Sequence, residues 1–350
     1  MDSRLKIKKG FLPLGKLPLE HLEELLKRYH VPGERVIIGA GIGQDAAVID
    51  WGEKYLVAKT DPITFVTDEI GFYAVTINAN DIACTGGLPK WFLATLLLPE
   101  GQSNDQMVES IFQQIANVCR DMNIGWVGGH TEITYGIDRP IVIGQMLGEV
   151  ERDKLVRPTH VQIGDLVLLT KGIAIEAVSI IARERTEEVE QKFGTDFVKR
   201  AQNFLHDPGI SVLKEAQIAV QVLASQASRV HAFHDPTEGG LAMGFYELAR
   251  ASLVGLEILP ERIPILPEAQ ALCDYFHLDP MGVIASGALI IVVAPVDADV
   301  IVQSLRNAGI AAEIVGEVTP PGSGVMFRKG DQVWPMPNFE RDELTKLFVS

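Results

Sequence analysis

Apolar runs of strand length alternate with helical apolar stripes through both halves of this chain, and that alternation restricts it to layers of helices on sheets. In the first half, helical spacing covers 19–29, 71–84 and 105–122. Strand-like runs cover 36–38, 46–49, 55–59, 91–98, 124–127 and 141–150. After a Pro-containing connector at 156–159 the pattern resumes: a strand at 166–170 with a helix after it, a polar helical stretch at 184–207, helices at 211–227 and 237–251, a strand at 288–294, a helix at 298–307 and a strand at 311–318. At 350 residues the chain exceeds one compact core, so two α/β domains are expected. The boundaries read as an arm and helix over 1–30, a first domain over 31–155 and a second over 160–350.

The totals narrow the function classes. A net charge of −15 argues against a nucleic-acid partner, which needs clustered Lys and Arg. Cys84, Cys119 and Cys273 are scattered, odd in number and without a CxxC, so neither a disulfide framework nor a zinc site is expected and a cytoplasmic location fits. No apolar run reaches the roughly 18 residues that span a bilayer, so no membrane role is expected. The basic start has no apolar signal segment after it and reads as a short mobile arm.

Four aspartates sit where strands or apolar runs meet turns: Asp45 in Gly-Ile-Gly-Gln-Asp-Ala-Ala-Val, Asp61 in Lys-Thr-Asp-Pro, Asp81 in Asn-Ala-Asn-Asp-Ile-Ala, and Asp235 in His-Asp-Pro-Thr-Glu-Gly-Gly-Leu. A lone carboxylate is expensive to bury. Four of them, three near glycine pairs or Gly-x-Gly, suggest a shared cation, and hard oxygen ligands suit Mg²⁺ accompanied by a phosphorylated substrate. Each has a plainer reading too: Asp61 as an Asp turn before Pro62, Asp81 as a helix residue turned to solvent, Asp235 as an N-cap with Pro in the first turn.

Other segments fit phosphate chemistry. Gly39, Gly41 and Gly43 alternate and can present backbone N–H groups to phosphate oxygens, or form an ordinary turn. The loop is neither a Rossmann fingerprint nor a Walker A sequence. Gly128-Gly129-His130-Thr131 is read as a loop leaving a strand at the ligand-binding edge of a sheet. His130 is a structural histidine or a ligand, and Thr131 a cap or a phosphate contact. Lys171, past the strand at 166–170, is a phosphate contact or a surface lysine.

In order, Gly-x-Gly-x-Asp-Ala-Ala-Val, Thr-Asp-Pro, Asn-Asp-Ile-Ala-x-x-Gly-x-x-Pro, Gly-Gly-His-Thr, Asp-Pro-Thr-x-Gly-Gly-Leu and Ser-Gly-Ala-Leu resemble the aminoimidazole ribonucleotide (AIR) synthase superfamily. The resemblance runs from about Val36 to Val318 and is nearest to the members like HypE, the hydrogenase maturation protein, and to unassigned AIR-synthase-related members. It implies a two-domain PurM-like fold: an N-terminal domain whose sheets pair across a homodimer into a central β-barrel, and a C-terminal α/β sandwich domain. It also implies ATP and Mg²⁺, with Asp45, Asp61, Asp81 and Asp235 as metal ligands. Gly41, Gly43, Asn80, Gly128, Gly129, His130, Thr131 and Lys171 would lie around the nucleotide. Lys16, in Leu-Gly-Lys-Leu-Pro, would fold over the γ-phosphate as a catalytic cation, or serve only as a surface lysine.

The chain departs from the family pattern at several points. Gln44 stands where most such relatives carry an acid, and His130 where the kinase and HypE branches tend to carry one. The sequence ends at Ser350, whereas HypE ends in the cysteine that carries its carbamoyl group. The expected function is therefore an Mg²⁺- and ATP-dependent enzyme that activates an amide or carbonyl oxygen, or another nucleophile, on a small-molecule or protein-bound acceptor. The alternative is a nucleotide-binding maturation factor that acts through a partner protein with little turnover of its own.

Overall fold

The chain forms two units. One comprises Pro32–Ala40 and Gln44–Leu155; the other comprises Val156–Ser350 with Gly41–Gly43 and the described part of Met1–Val31. The computed structural model describes Leu12 and residues 15–64, 66–223, 230–339 and 341–348, so the expected mobile arm falls outside the described residues. Helix α1 (Leu19–Tyr29) groups with the C-terminal half, and its Glu23 pairs with Arg250.

In the N-terminal unit, β1 (Val36–Ile38), β2 (Ala47–Asp50), β3 (Lys54–Ile63), β4 (Leu88–Pro99), β5 (Gly125–Thr134) and β6 (Ile141–Glu151) form one sheet, in the order β1-β2-β3-β6-β4-β5. Every neighbouring pair is antiparallel except β4 and β5. Helix α2 (Ile70–Cys84) is apolar on all sides and buried along almost its whole length, as its composition requires. Helix α3 (Asp105–Asp121) is amphipathic. It is capped by Asn104, which accepts from the Met107 N–H, and it buries Ile111, Ile115, Val118 and Cys119. Two glycines on β6 set the spacing between α2 and the sheet. A Cβ on Gly144 would fall 2.3 Å from Asn78 Nδ2, and one on Gly148 2.4 Å from Ile82 Cγ2.

The C-terminal unit has a seven-stranded sheet of β7 (Leu166–Thr170), β8 (Ala232–His234), β9 (Gly255–Ile258), β10 (Ile290–Val293), β11 (Ala312–Thr319), β12 (Val325–Lys329) and β13 (Gln332–Pro335), in the order β13-β12-β9-β11-β7-β10-β8. Only β9 and β12 run parallel. Its helices are α4 (Ile175–Glu184), α5 (Thr186–Phe193), α6 (Thr195–Asn203), α7 (Leu213–Leu223), α8 (Gly240–Ser252), α9 (Pro267–Phe276) and α10 (Pro295–Asn307). Phe245 and Leu248 of α8 pack with Leu169, Ile258, Ile290 and Val292 in its core. Each such buried side chain contributes roughly 1.5–3 kcal/mol.

Strand–helix alternation correctly indicates a mixed two-layer fold, but the sheets are mainly antiparallel rather than built from βαβ crossovers. Three local expectations change. The strand entering Gly128-Gly129 does not stop there: β5 continues to Thr134, with Ala94 opposite Gly129 and Thr95 opposite His130, so the expected loop is the middle of a strand. Asp61 does not end its strand, because β3 runs on through Pro62 to Ile63, pairing Asp61 with Gly144. Pro62 is tolerated where β3 has already lost β2 as a neighbour, since that pairing reaches only Ala58. The helix expected over 211–227 is described as α7, and 224–229 lie outside the described residues. Among the described residues no helix is long and apolar enough to cross a membrane.

Candidate functional site

In the N-terminal unit, two of the four singled-out aspartates pair with one lysine, and the charge of a third acts on it. Lys59 and Asp61 are two apart on β3 and so share a face of the sheet. Asp81 comes down onto that face from the last turn of α2, which Gly144 and Gly148 hold close to the strands. Lys59 Nζ lies 3.1 Å from Asp81 Oδ1 and 3.5 Å from Asp61 Oδ2. Asp45 precedes β2, whose Ala47 pairs with Ala58 beside Lys59. Burial works against the Lys59 ammonium, but the charges of Asp81, Asp61 and Asp45 outweigh it and raise its pKa above the ordinary lysine value. Asn80 is buried on α2, and Asn78 donates to the Asp61 carbonyl at 3.3 Å.

In the C-terminal unit, β8 ends at His234 and the chain runs through Asp235-Pro-Thr-Glu into two left-handed glycines, Gly239 (φ +82), which caps α8, and Gly240 (φ +70), which begins it. Gly240 cannot carry a side chain, since a Cβ would sit 2.4 Å from the Met281 carbonyl oxygen. Helix α8 thus begins three residues after Thr237, and neither Asp235 nor Thr237 is its N-cap; the N-cap is Gly239. The freed side chains gather charge. Lys16 donates to Thr237 Oγ1 at 2.9 Å and lies 3.8 Å from Glu247 Oε1 and 4.0 Å from Glu238 Oε2. His234 Nε2 meets Glu247 Oε2 at 3.0 Å. Gly43 (φ +67) packs on α8 so closely that a Cβ would lie 2.8 Å from the Glu247 carbonyl oxygen. Gly41 is exposed.

Behind this turn stand two buried acids. Asp342 accepts from the Gly239 N–H and the Leu344 N–H, each at 2.8 Å. Burial pushes its carboxyl up to about 6 despite those bonds. Glu176, in the first turn of α4, is pushed up to about 8 by burial, with the charges of Glu238 and Asp342 adding to the shift and Ser286 opposing it.

The remaining predicted residues stand elsewhere. Gly128, Gly129, His130 and Thr131 are exposed on edge strand β5, where His130 Nε2 meets Glu132 Oε2 at 3.1 Å. Gly129 (φ +146) must be glycine, because a Cβ would fall 1.9 Å from the Ala94 carbonyl oxygen. Lys171 is not a surface lysine. Its ammonium donates to the carbonyls of Gly209 and Ser211 and lies 2.8 Å from Glu215 Oε1. Burial lowers its pKa, and Glu215 offsets part of that fall. Its hydrogen bonds pin the turn before α7.

Sequence reasoning missed Lys59, Glu247, Glu176 and Asp342. A signal existed for Lys59, the one charged residue inside the apolar run 55–59 and two positions from Asp61. Glu247 lies seven residues past Gly240, two helical turns on and therefore on the same face. Asp342 carried no local signal.

The domain family described as AIR synthase related protein, N-terminal domain, matches residues 43–150, and its C-terminal counterpart matches 162–329. The chain belongs to the AIR synthase related family. It is 28% identical over 333 residues to a Methanocaldococcus jannaschii protein named for hydrogenase expression/formation, covering 92% of this chain and 94% of that one. It is 27% identical to the carbamoyl dehydratase HypE of Rhizobium leguminosarum bv. viciae, covering 83% and 80%. Among solved structures, the hydrogenase maturation protein HypE in complex with ATP superposes with a TM-score of 0.70 at 20% identity, over 94% of this chain and 99% of that one. The two-domain PurM-like architecture is thus that of the family.

Proposed function

We propose that this protein is an Mg²⁺- and ATP-dependent enzyme of the HypE-like branch, activating an amide or carbonyl oxygen, or another nucleophile, by phosphoryl transfer. The observation that carries this reading is the meeting of Asp61 from a strand and Asp81 from a helix at the Lys59 ammonium, on which the charge of Asp45 also acts. The donor set fits the ion: all three are hard carboxylate oxygens, and with Lys59 they leave a net charge that a divalent cation balances. Magnesium and ATP, when bound, would supply charge neutralisation and the transferable phosphoryl group.

The chain's own residues would do the positioning. Asp45, Asp61 and Asp81 orient the ion, and Asp235 is the further carboxylate that the family pattern assigns to metal. Asn80, next to Asp81 on buried α2, would lie near the nucleotide, and the backbone at Gly41 and Gly43 offers N–H groups to phosphate. In the C-terminal unit Lys16, held by Thr237 and Glu247, is the cation for the γ-phosphate. Gly128, Gly129 and Thr131 would serve nucleotide from β5.

The acceptor belongs to another molecule, small or protein-borne. Cys84, Cys119 and Cys273 are all buried, and burial pushes the Cys119 and Cys273 thiols up to about 11 and 12, so none is poised as a carrier thiolate. Hydrogenase maturation, through a protein partner, is the setting that the named relatives favour. Homodimerisation is the reading supported by β5, an edge strand exposed along most of its length, with Val127 and Ile133 uncovered.

Gln44, standing where relatives carry an acid, favours a second reading, a nucleotide-binding maturation factor with little turnover. Product analysis separates the two. Incubation with Mg·ATP and candidate amides, thiols and carbamoylated proteins should release ADP, and Asp81→Asn should abolish the release. ATP bound but unconsumed with every acceptor would support the second reading instead.

A further inference from the structure

Lys59 is an unexpected occupant of a carboxylate cluster. It extends from the middle of β3 into a face shared with Asp61 and overhung by Asp81, and it feels the charge of Asp45. This is no ordinary surface pair. The Lys59 side chain is 21% exposed and that of Asp81 only 8%. Asp81 stands on a helix buried almost throughout, so it cannot retreat to solvent. Three carboxylates in such a place repel one another strongly unless a cation joins them, and removing one partner of a buried pair leaves an uncompensated charge. A lysine ammonium is a compact point charge with three donors, suited to bridging two carboxylates from different elements. It engages one oxygen of Asp81 and one of Asp61.

We propose that Lys59 is the resident cation of the Asp45, Asp61 and Asp81 cluster, cancelling one of its three negative charges so that a single divalent ion completes the balance. Lys59 is thus a positioning residue. It keeps the metal-free protein folded with its aspartates already drawn together, and it limits how tightly and how many divalent ions the cluster takes. The inference rests on the reading of these aspartates as metal ligands.

Manganese as a spectroscopic substitute for Mg²⁺ tests it, with Mn²⁺ binding counted by electron paramagnetic resonance on the nucleotide-free protein. Wild type should bind no more than one Mn²⁺ per chain. Lys59→Met should bind it about tenfold more tightly or better, because a repelling charge within a few ångströms of the ion has gone. Metal-free Lys59→Met should melt lower than wild type and recover most of the loss in Mn²⁺, whereas Lys59→Arg should match wild type in both respects. The double variant Lys59→Met/Asp61→Asn restores the net charge and should regain much of the metal-free melting temperature. A folded Lys59→Met whose Mn²⁺ affinity is unchanged or weaker would overturn the inference. So would a double variant that melts no higher than Lys59→Met, or a wild type that binds two Mn²⁺. If neither wild type nor variant binds Mn²⁺, with or without a non-hydrolysable ATP analogue, the metal reading itself falls and the inference with it.

Discussion

Replacing Glu176 by Gln should flatten the pH dependence of stability in a calculable way. The Glu176 carboxyl is buried in the first turn of α4, and burial, reinforced by Glu238 and Asp342, moves its pKa from 4.5 to about 8. In the unfolded chain the group loses its proton near pH 4.5; in the folded protein it keeps the proton until about pH 8. Between those limits the folded state binds one proton more, so stability falls as pH rises, by about 1.4 kcal/mol per pH unit. The stabilisation is complete below the unfolded pKa and gone above the folded one, a total on the order of 4–5 kcal/mol. Gln has the same shape and no charge to desolvate. Urea unfolding of wild type and Glu176→Gln at pH 5, 6, 7 and 8 reads the difference directly, and the similar slope from Asp342 cancels because both proteins carry it. The two should be of similar stability near pH 5, with the variant pulling ahead by several kcal/mol at pH 8. A gap that stays constant across that range would refute the assignment of a neutral Glu176 at pH 7.

Lys16→Ala should lower ATP turnover on the order of a hundredfold, the usual cost of losing a preorganised charge contact in the transition state, while melting shifts little because the Lys16 side chain is nearly half exposed and its ion pairs are solvent-screened. A thiol reagent such as dithionitrobenzoate should titrate almost none of the three cysteines in the native protein and all three in denaturant, since all are buried. Light scattering should give about twice the 38.3 kDa chain mass, and a charge placed at Val127 on β5 should shift the species to monomer; a wild type that is already a monomer would remove the barrel pairing.

Much of the fold was legible because its elements obey simple periods. Helix α1, strands β1 and β7 and helix α3 fall within a residue of where their apolar spacing sets them. The strands that escaped, β8, β9, β12 and β13, are only three to five residues long, and β8, β9 and β12 pair with partners far away in the chain; the ten-residue helix α9 escaped as well. Gly128-Gly129 misled because glycine pairs ordinarily mark loops. Here Gly129 is required by the close approach of β4, a tertiary constraint. In the candidate site the aspartates were visible as motifs. What they surround was not: the meeting of Lys59 with Asp81 depends on the spacing of α2 over β6, and that of Lys16 with Glu247 joins residues 231 positions apart. Lys171 looked the same on paper as Lys16. Only the carbonyls of Gly209 and Ser211 show that it is structural.

Calorimetric titration of ATP into the wild-type protein, once in Mg²⁺ and once in EDTA, tests the central claim most directly. The account predicts saturable binding in Mg²⁺ that weakens at least about tenfold when the ion is removed, since the nucleotide phosphates would then face Asp45, Asp61 and Asp81 with only Lys59 between them. Equal affinity in both buffers, or no binding in either, would contradict it.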